Sequence, residues 1–356
     1  MKTYQHRLLW FATPEKGFYP YQVLHEKAEI LWFLGRLPGA RKCYEENLKA
    51  AQASGLSSLA AHSMLKLSRV VYSLGDVDAA LSLAEQGGEI FKRIGDRLNL
   101  TGAGIIMGII CSSRGNYPAA FEHFNQSLEN AREQGDIRNQ GNIYNALGNL
   151  SFYRADLDQA LEYYLKMRDI SEGLGDQIGM GRVLGNISAV YKQRGQLDLA
   201  LEHSRRALEI GRELGDSTFI TQAVGNLGSV YTDMKKYDDA LACFQLQLDG
   251  AMKMGYVRDQ AIAHSSIARI HFDLGQYSEA REFFDRSLPL FRRLESRYDL
   301  CEILLDQAEV CNELDDPERS KDSAAEALDI AREINKQDTI EKAQAFLNKL
   351  GEKAVN

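Results

Sequence analysis

The 356 residues are 44% hydrophobic and 26% charged, with only six prolines, the texture of a folded, helix-rich protein. A net charge of −8, with acids and bases interspersed, excludes the basic stripe of a nucleic-acid binder. Five cysteines without a C-x-x-C pair and no apolar run near the ~18 residues of a membrane span argue against a disulfide framework or a membrane protein. Reduced thiols and a cytoplasmic location are the expectation, and the apolar stretch "LLWFA" near the start is too short for a signal peptide.

The predicted elements follow a 40-residue period, marked by the pairs Gly95-Asp96, Gly135-Asp136, Gly175-Asp176 and Gly215-Asp216. With position 1 placed at Gly141, residues 1–16 hold the register of a second helix, with Tyr4, Leu8 and Phe11 on its apolar side. Eight units then fill residues 17–336, each read as helix A, a turn and helix B. Helix A carries an apolar stripe of 3.6-residue period, as in Val183, Leu184, Ile187, Val190 and Tyr191. Position 8 holds only small residues (Ala28, Ser68, Gly108, Gly148, Ser188, Gly228, Ala268, Ala308), so that helix B can approach closely. Glycine at position 15 (Gly35, Gly75, Gly115, Gly195, Gly275) ends helix A in the left-handed conformation. Helix B opens on Asp or Pro, such as Asp158 or Pro118, suited to a helix start. It carries a small residue at position 20, from Ala40 to Ser320, and mostly an aromatic at position 24: Tyr44, Phe124, Tyr164, Phe244 and Phe284. The Gly-Asp pair closes the unit, the glycine stopping helix B and the aspartate capping the next helix A. Residues 337–356 return to a helix A register and cap the far end. The fold class expected is all-α, one array over residues 1–356.

Small-8, Tyr-11, small-20 and aromatic-24 together resemble the tetratricopeptide repeat, most closely in Leu227-Gly228-Ser229-Val230-Tyr231 followed by Ala240 and Phe244. The family's usual period is 34, so either the helices are about a turn longer here or the inter-repeat turn is extended. The long unit is similar to the repeats of LGN/Pins-type adaptors, whose Leu-Gly-Asn appears as Leu147-Gly148-Asn149, and to those of bacterial signalling arrays. The resemblance implies a right-handed α-solenoid whose A helices line a concave groove at positions 2, 5, 9, 12 and 13.

Those columns offer a hydrophobic anchor early in the chain: Trp32, Phe33, Leu65, Tyr72, Ile105 and Ile109. The middle offers amides and bases: Asn142, Asn145, Asn149, Arg182, Lys192, Gln193, Gln222 and Ser229, then Ser265 and Arg269, with Asn186 and Asn226 at position 6. Repeat 8 turns acidic at Glu302, Glu309 and Glu313. Asparagine suits an extended peptide backbone because it offers one donor group and one acceptor. The charge clamp with which some family members grip a chaperone tail is absent, since its basic positions hold Asn145, Gln222 and Asn226.

Thr101 to Gly115 is glycine-rich, but it lies in helix register with no strand before it, so close packing is preferred to a phosphate loop. His264 and His271 lack a third ligand for a metal. No nucleophile–base constellation is recognisable and no cofactor is expected. The expected function is a non-catalytic scaffold that binds a peptide or partner helix. The alternative is a sensor array of a larger signalling protein (a cyclase, kinase or ATPase) that binds an intramolecular segment or effector peptide. Self-association stays open.

Overall fold

The computed structural model describes residues 19–355 except 34–35, 75, 295 and 335. The N-terminal helix register, Gly35, Gly75 and the Phe33 side chain lie outside the described residues. Every described element is an α-helix. In chain order they are α1 (Tyr19–Phe33), α2 (Leu37–Ala53), α3 (Ser57–Ser73), α4 (Val77–Ile94), α5 (Arg97–Ser113), α6 (Tyr117–Glu133), α7 (Ile137–Tyr153), α8 (Leu157–Gly173) and α9 (Gln177–Gln193). There follow α10 (Leu197–Leu214), α11 (Ser217–Asp233), α12 (Tyr237–Met254), α13 (Val257–Asp273), α14 (Tyr277–Arg293), α15 (Arg297–Glu313), α16 (Pro317–Glu333) and α17 (Gln337–Val355). Odd-numbered helices are A helices and even-numbered ones are B helices. The chain divides into two compact units, residues 1–110 and 111–356, with the boundary inside α5.

Most helices have 17 residues, and two or three residues join each to the next. The long period therefore lies in the helices, not in an extended turn. The capping chemistry is local. Asp136, Asp176 and Asp216 each accept from the backbone N–H three residues on, at 3.0 Å. Asp76 and Asp156 cap the B helices α4 and α8 in the same way, two residues earlier than the first-turn aspartates picked out in the sequence. Among the described residues left-handed backbone recurs in register, including three positions without glycine: Ala155 (φ 60°), Lys235 (φ 57°) and Asp315 (φ 57°) occupy position 15.

The small columns are the seam of each hairpin. Ala40, Ala80, Ala160, Ala200, Ala240 and Ala280 are fully buried at position 20. Where position 8 is serine, its hydroxyl also bonds the facing carbonyl: Ser68 donates to Ala80 O at 2.6 Å and Ser188 to Ala200 O at 2.7 Å. Where it is Gly148, the Tyr164 ring fills the space, and a Cβ there would come within 2.5 Å of it. Gly102 differs, since an added Cβ would meet nothing within 4 Å, so close packing does not explain it.

Each unit has its own core. In unit 1, Tyr44, Val70, Val71 and Ile110 form one cluster and Ala61, Leu65, Phe91 and Ala103 a second. In unit 2 the largest gathers Phe284, Phe291, Leu304 and Val310, closed by Ala343, Phe346 and Leu347 of α17. On α17, position 8 is Asn348 instead of a small residue, and Asn348 and Gln344 are exposed, a polar face of the kind that ends an array.

Candidate functional site

The A helices of unit 2 are tied to one another by side chains along one face. Asn186 on α9 donates to Asn145 Oδ1 at 2.8 Å and to Asn149 Oδ1 at 3.4 Å, both on α7. Lys192 on α9 reaches Ser229 on α11 at 2.7 Å and Asp233 at 3.7 Å. Arg258 and Arg269 on α13 pair with Asp299 (3.2 Å) and Asp306 (2.5 Å) on α15. Glu302 on α15 pairs with Lys336, whose ammonium lies 3.6 Å from the Tyr298 ring centroid. The face thus changes from uncharged amides at α7–α9 to closed ion pairs at α13–α17.

The amide end is the part with hydrogen-bonding capacity to spare. Asn142, Arg182, Gln193, Gln222 and Asn226 are exposed, while Asn145, Asn149, Asn186, Lys192 and Ser229 are half-buried. Among the described residues Arg182 has no ion-pair partner. Position 5 is glycine on α9 and α11, and neighbouring amides occupy the space a side chain would take. The site of a Gly185 Cβ lies 3.1 Å from Asn226 Nδ2, and that of a Gly225 Cβ lies 2.5 Å from the buried Gln247. Ser265 does not belong to this surface. It is 3% exposed, and its hydroxyl donates to Ile262 O within its own helix. Arg269 is exposed but committed to Asp306. Burial raises the Asp306 pKa, and Arg269 opposes the rise.

The proposed hydrophobic anchor lies wholly in unit 1. Leu65, 7% exposed, is a core residue packed beside Gly87 and offers a ligand no surface. Trp32 and Tyr72 are half-buried against the unit's core, with Arg69 stacked 5.6 Å over the Trp32 ring. Ile105 is half-buried, and Ile109 is 43% exposed. The amide residues and the anchor residues therefore belong to different units.

Three residues on or behind the amide face are absent from the groove residues named from the sequence. Phe152 and Tyr153 stand at positions 12 and 13 of α7, with Tyr153 63% exposed beside Asn149 in the helical register. Tyr164, from helix B, donates its hydroxyl to Asn149 Oδ1 at 2.7 Å. The first two were legible as aromatics in groove columns. For the third the only signal is a tyrosine where Phe124, Phe244 and Phe284 fill the same column.

Other candidates resolve structurally. Thr101 to Ser113 is helical within α5, not a phosphate loop. His264 and His271 both pack on Phe283, at 5.9 and 5.5 Å between ring centroids. Among the described residues no group of His, Cys, Asp or Glu could hold a metal ion, and no helix is long and apolar enough to cross a membrane. All five cysteines are buried.

Stacked helix hairpins with small seams, capped turns and a face of A-helix side chains define an α-solenoid repeat protein. The chain belongs to the tetratricopeptide repeat family, whose model matches residues 21–93, 103–173, 139–213, 179–253 and 259–333. No curated protein matches it in sequence. Among solved structures it is similar to a Rap protein complexed with competence and sporulation factor, with 14% identity, a TM-score of 0.60, and coverage of 94% of this chain and 98% of that one. It is similar to the Rap conjugation gene regulator of plasmid pLS20 in complex with the Phr* peptide, with 17% identity, a TM-score of 0.64, and coverage of 80% and 78%. It is also similar to a STAND signal-transduction ATPase with a tetratricopeptide repeat sensor from Pyrococcus horikoshii, with 16% identity and a TM-score of 0.60, where 96% of this chain spans half of that one. At these identities the likeness is one of fold.

Proposed function

We propose that the chain is a non-catalytic interaction scaffold that binds an extended peptide across α7, α9 and α11. The observation that carries this reading is the Asn145–Asn149–Asn186 ladder, polar and uncharged, with the unpaired Arg182 and exposed Asn142 and Gln222 around it. A peptide backbone presents alternating donors and acceptors, which side-chain amides match without a charge to desolvate. Phe152 and Tyr153 supply an aromatic contact at one end of the ladder, the kind of residue that dominates binding energy at interfaces. The complex of the pLS20 Rap regulator with the Phr* peptide is in keeping with this use of the fold.

The experiment is affinity selection of random-sequence decapeptides from a display library on the full chain, followed by titration of the resynthesised winners. The variant Asn145→Ala/Asn149→Ala/Arg182→Ala is expected to lose tenfold or more in affinity, on the order of one or two good hydrogen bonds. Equal binding by that variant would refute the assignment. A second reading, a sensor array within a larger signalling protein, draws on the STAND ATPase, where a chain of this length covers half of the protein. The peptide surface would be the same, and its occupant would then be a segment or effector of that larger protein.

A further inference from the structure

The ladder has a direction, which its hydrogen bonds reveal. Asn186 gives its amide hydrogens to the carbonyl oxygens of Asn145 and Asn149. Asn149 Oδ1 also accepts from Tyr164. Of the two α7 asparagines, Asn149 has both lone pairs of its oxygen taken inside the protein, and Asn145 has one taken. Their Nδ2 groups donate to no described residue, and both side chains are half-buried on the A-helix face. A side-chain amide that has spent its oxygen can offer a ligand only N–H donors.

Tyr164 is held for this task from behind. Its ring fills the space above Gly148, where any Cβ would collide with it. The ring is 2% exposed. Burial raises its pKa, which keeps the proton on the oxygen and makes it the donor. The geometry recurs in unit 1, where the other tyrosine at position 24, Tyr44, donates to the position 9 residue, Glu29. There the acceptor is a carboxylate, which accepts only, so the direction of the bond is fixed by chemistry. Lys66, at position 6 of the next A helix, donates to the same carboxylate at 2.9 Å, as Asn186 does to Asn149. Where position 24 is phenylalanine, position 9 carries Ile109, Ser229 or Arg269, none of them an amide or carboxylate.

We propose that Tyr164 is a positioning residue that locks the amide ladder with its N–H groups outward, so that the site selects ligand oxygen acceptors: successive backbone carbonyls or a terminal carboxylate. This deepens the peptide-binding reading and rests on it. Arg182, on the same face, adds a cationic donor to the set. A ligand group offering only N–H donors finds no acceptor at Asn149.

The test uses the full chain and the decapeptides selected on it, each made with a free C-terminal carboxylate and with a C-terminal amide. Asn149→Asp is the decisive variant. The carboxylate keeps the bonds from Tyr164 and Asn186, as Glu29 shows is possible, but it has no N–H to offer. The expected result is a melting temperature within about 2 °C of wild type and a loss of affinity of about tenfold or more. Tyr164→Phe frees Asn149 to turn over and is expected to lose roughly three- to tenfold, with the Asn149 side-chain amide resonances moving in a spectrum of 15N-asparagine-labelled protein. Loss confined to the free-acid peptides assigns the acceptor to the terminal carboxylate, and equal loss in both sets assigns it to backbone carbonyls. If Asn149→Asp and Tyr164→Phe bind as wild type while the triple variant above does not, the positioning role is wrong and the peptide site stands. If the triple variant also binds normally, the site itself is wrong. Should Tyr164→Phe fold poorly, Asn149→Asp still decides.

Discussion

Two regions of the molecule use one register for opposite ends. In unit 1, positions 5, 9 and 24 and positions 2 and 6 of the next repeat hold His25, Glu29, Tyr44, His62 and Lys66. In unit 2 the same positions of repeats 4 and 5 hold Asn145, Asn149, Tyr164, Arg182 and Asn186. In the unit 1 cluster Glu29 is satisfied by Tyr44 and Lys66, and His25, its Nδ1 buried without a hydrogen-bond partner, lies between Tyr21, Tyr44 and His62 at 5.8 to 6.0 Å. The unit 2 cluster stays open, because amides satisfy one another through half of their capacity and keep the other half. The backbone register places a hydroxyl under position 9 in both places. Side-chain chemistry alone decides whether the group at position 9 is a filled carboxylate, as at Glu29, or an amide with N–H groups to spare, as at Asn149.

The sharpest way to break this comparison is through the seam that holds Tyr164. Gly148→Ala puts a methyl group within 2.5 Å of the ring and is expected to cost about 1–3 kcal/mol in urea unfolding by overpacking. A smaller stability loss would mean that the tyrosine is free to move. Next comes Tyr44→Phe, which removes a bond to a charged acceptor and is expected to cost roughly 1–2 kcal/mol, reduced because Glu29 is 41% exposed. It should exceed the loss from Tyr164→Phe in the same denaturant titration. If the two losses are equal, the ionic lock is no stronger than the amide one. Gly102→Ala, in open space, is expected to raise stability by up to about 1 kcal/mol through helix propensity. A loss there would reveal an unsuspected contact.

The smallest effect is in pH. Burial, and then Lys66, holds His25 and His62 below the ordinary histidine pKa, with His25 lowering His62 further and Glu29 opposing for both. Glu26 and Asp96 also act against the shift at His25 and His62 respectively. The unfolded chain binds protons near pH 6.5 while the folded cluster resists them. Stability is therefore full above about pH 6.5 and falls as the pH drops toward the folded-state values. His25→Gln/His62→Gln should flatten the melting temperature between about pH 7 and 5. His203 and His264 in unit 2, which burial also depresses, contribute to the slope that remains.

The hairpins, their seams and their caps were legible because each rests on local chemistry repeated in register. Gly175-Asp176 can be read as a stop and a cap without knowing what lies nearby, and Asp176 does cap Gly179 N. Position 15 was legible only in part: Ala155, Lys235 and Asp315 take glycine's conformation with no residue to announce it. The candidate surface was less legible, since a column gives direction but not depth. Leu65 and Ser265 share a column with the half-buried Ile105 and Asn145, yet they are covered by the helices packed around them. The role of Tyr164 is invisible along its own helix, because its partner lies fifteen residues back on the other helix of the hairpin.

The central claim is that the open amide face of α7, α9 and α11 is where a peptide lies. The most direct measurement is photocrosslinking of selected decapeptides carrying benzoylphenylalanine, with the attached residues mapped by mass spectrometry. The expected result is attachment at groove-register residues of the A helices, around Asn142, Tyr153, Arg182 and Gln222. Attachment confined to the B helices α8, α10 and α12 would contradict it.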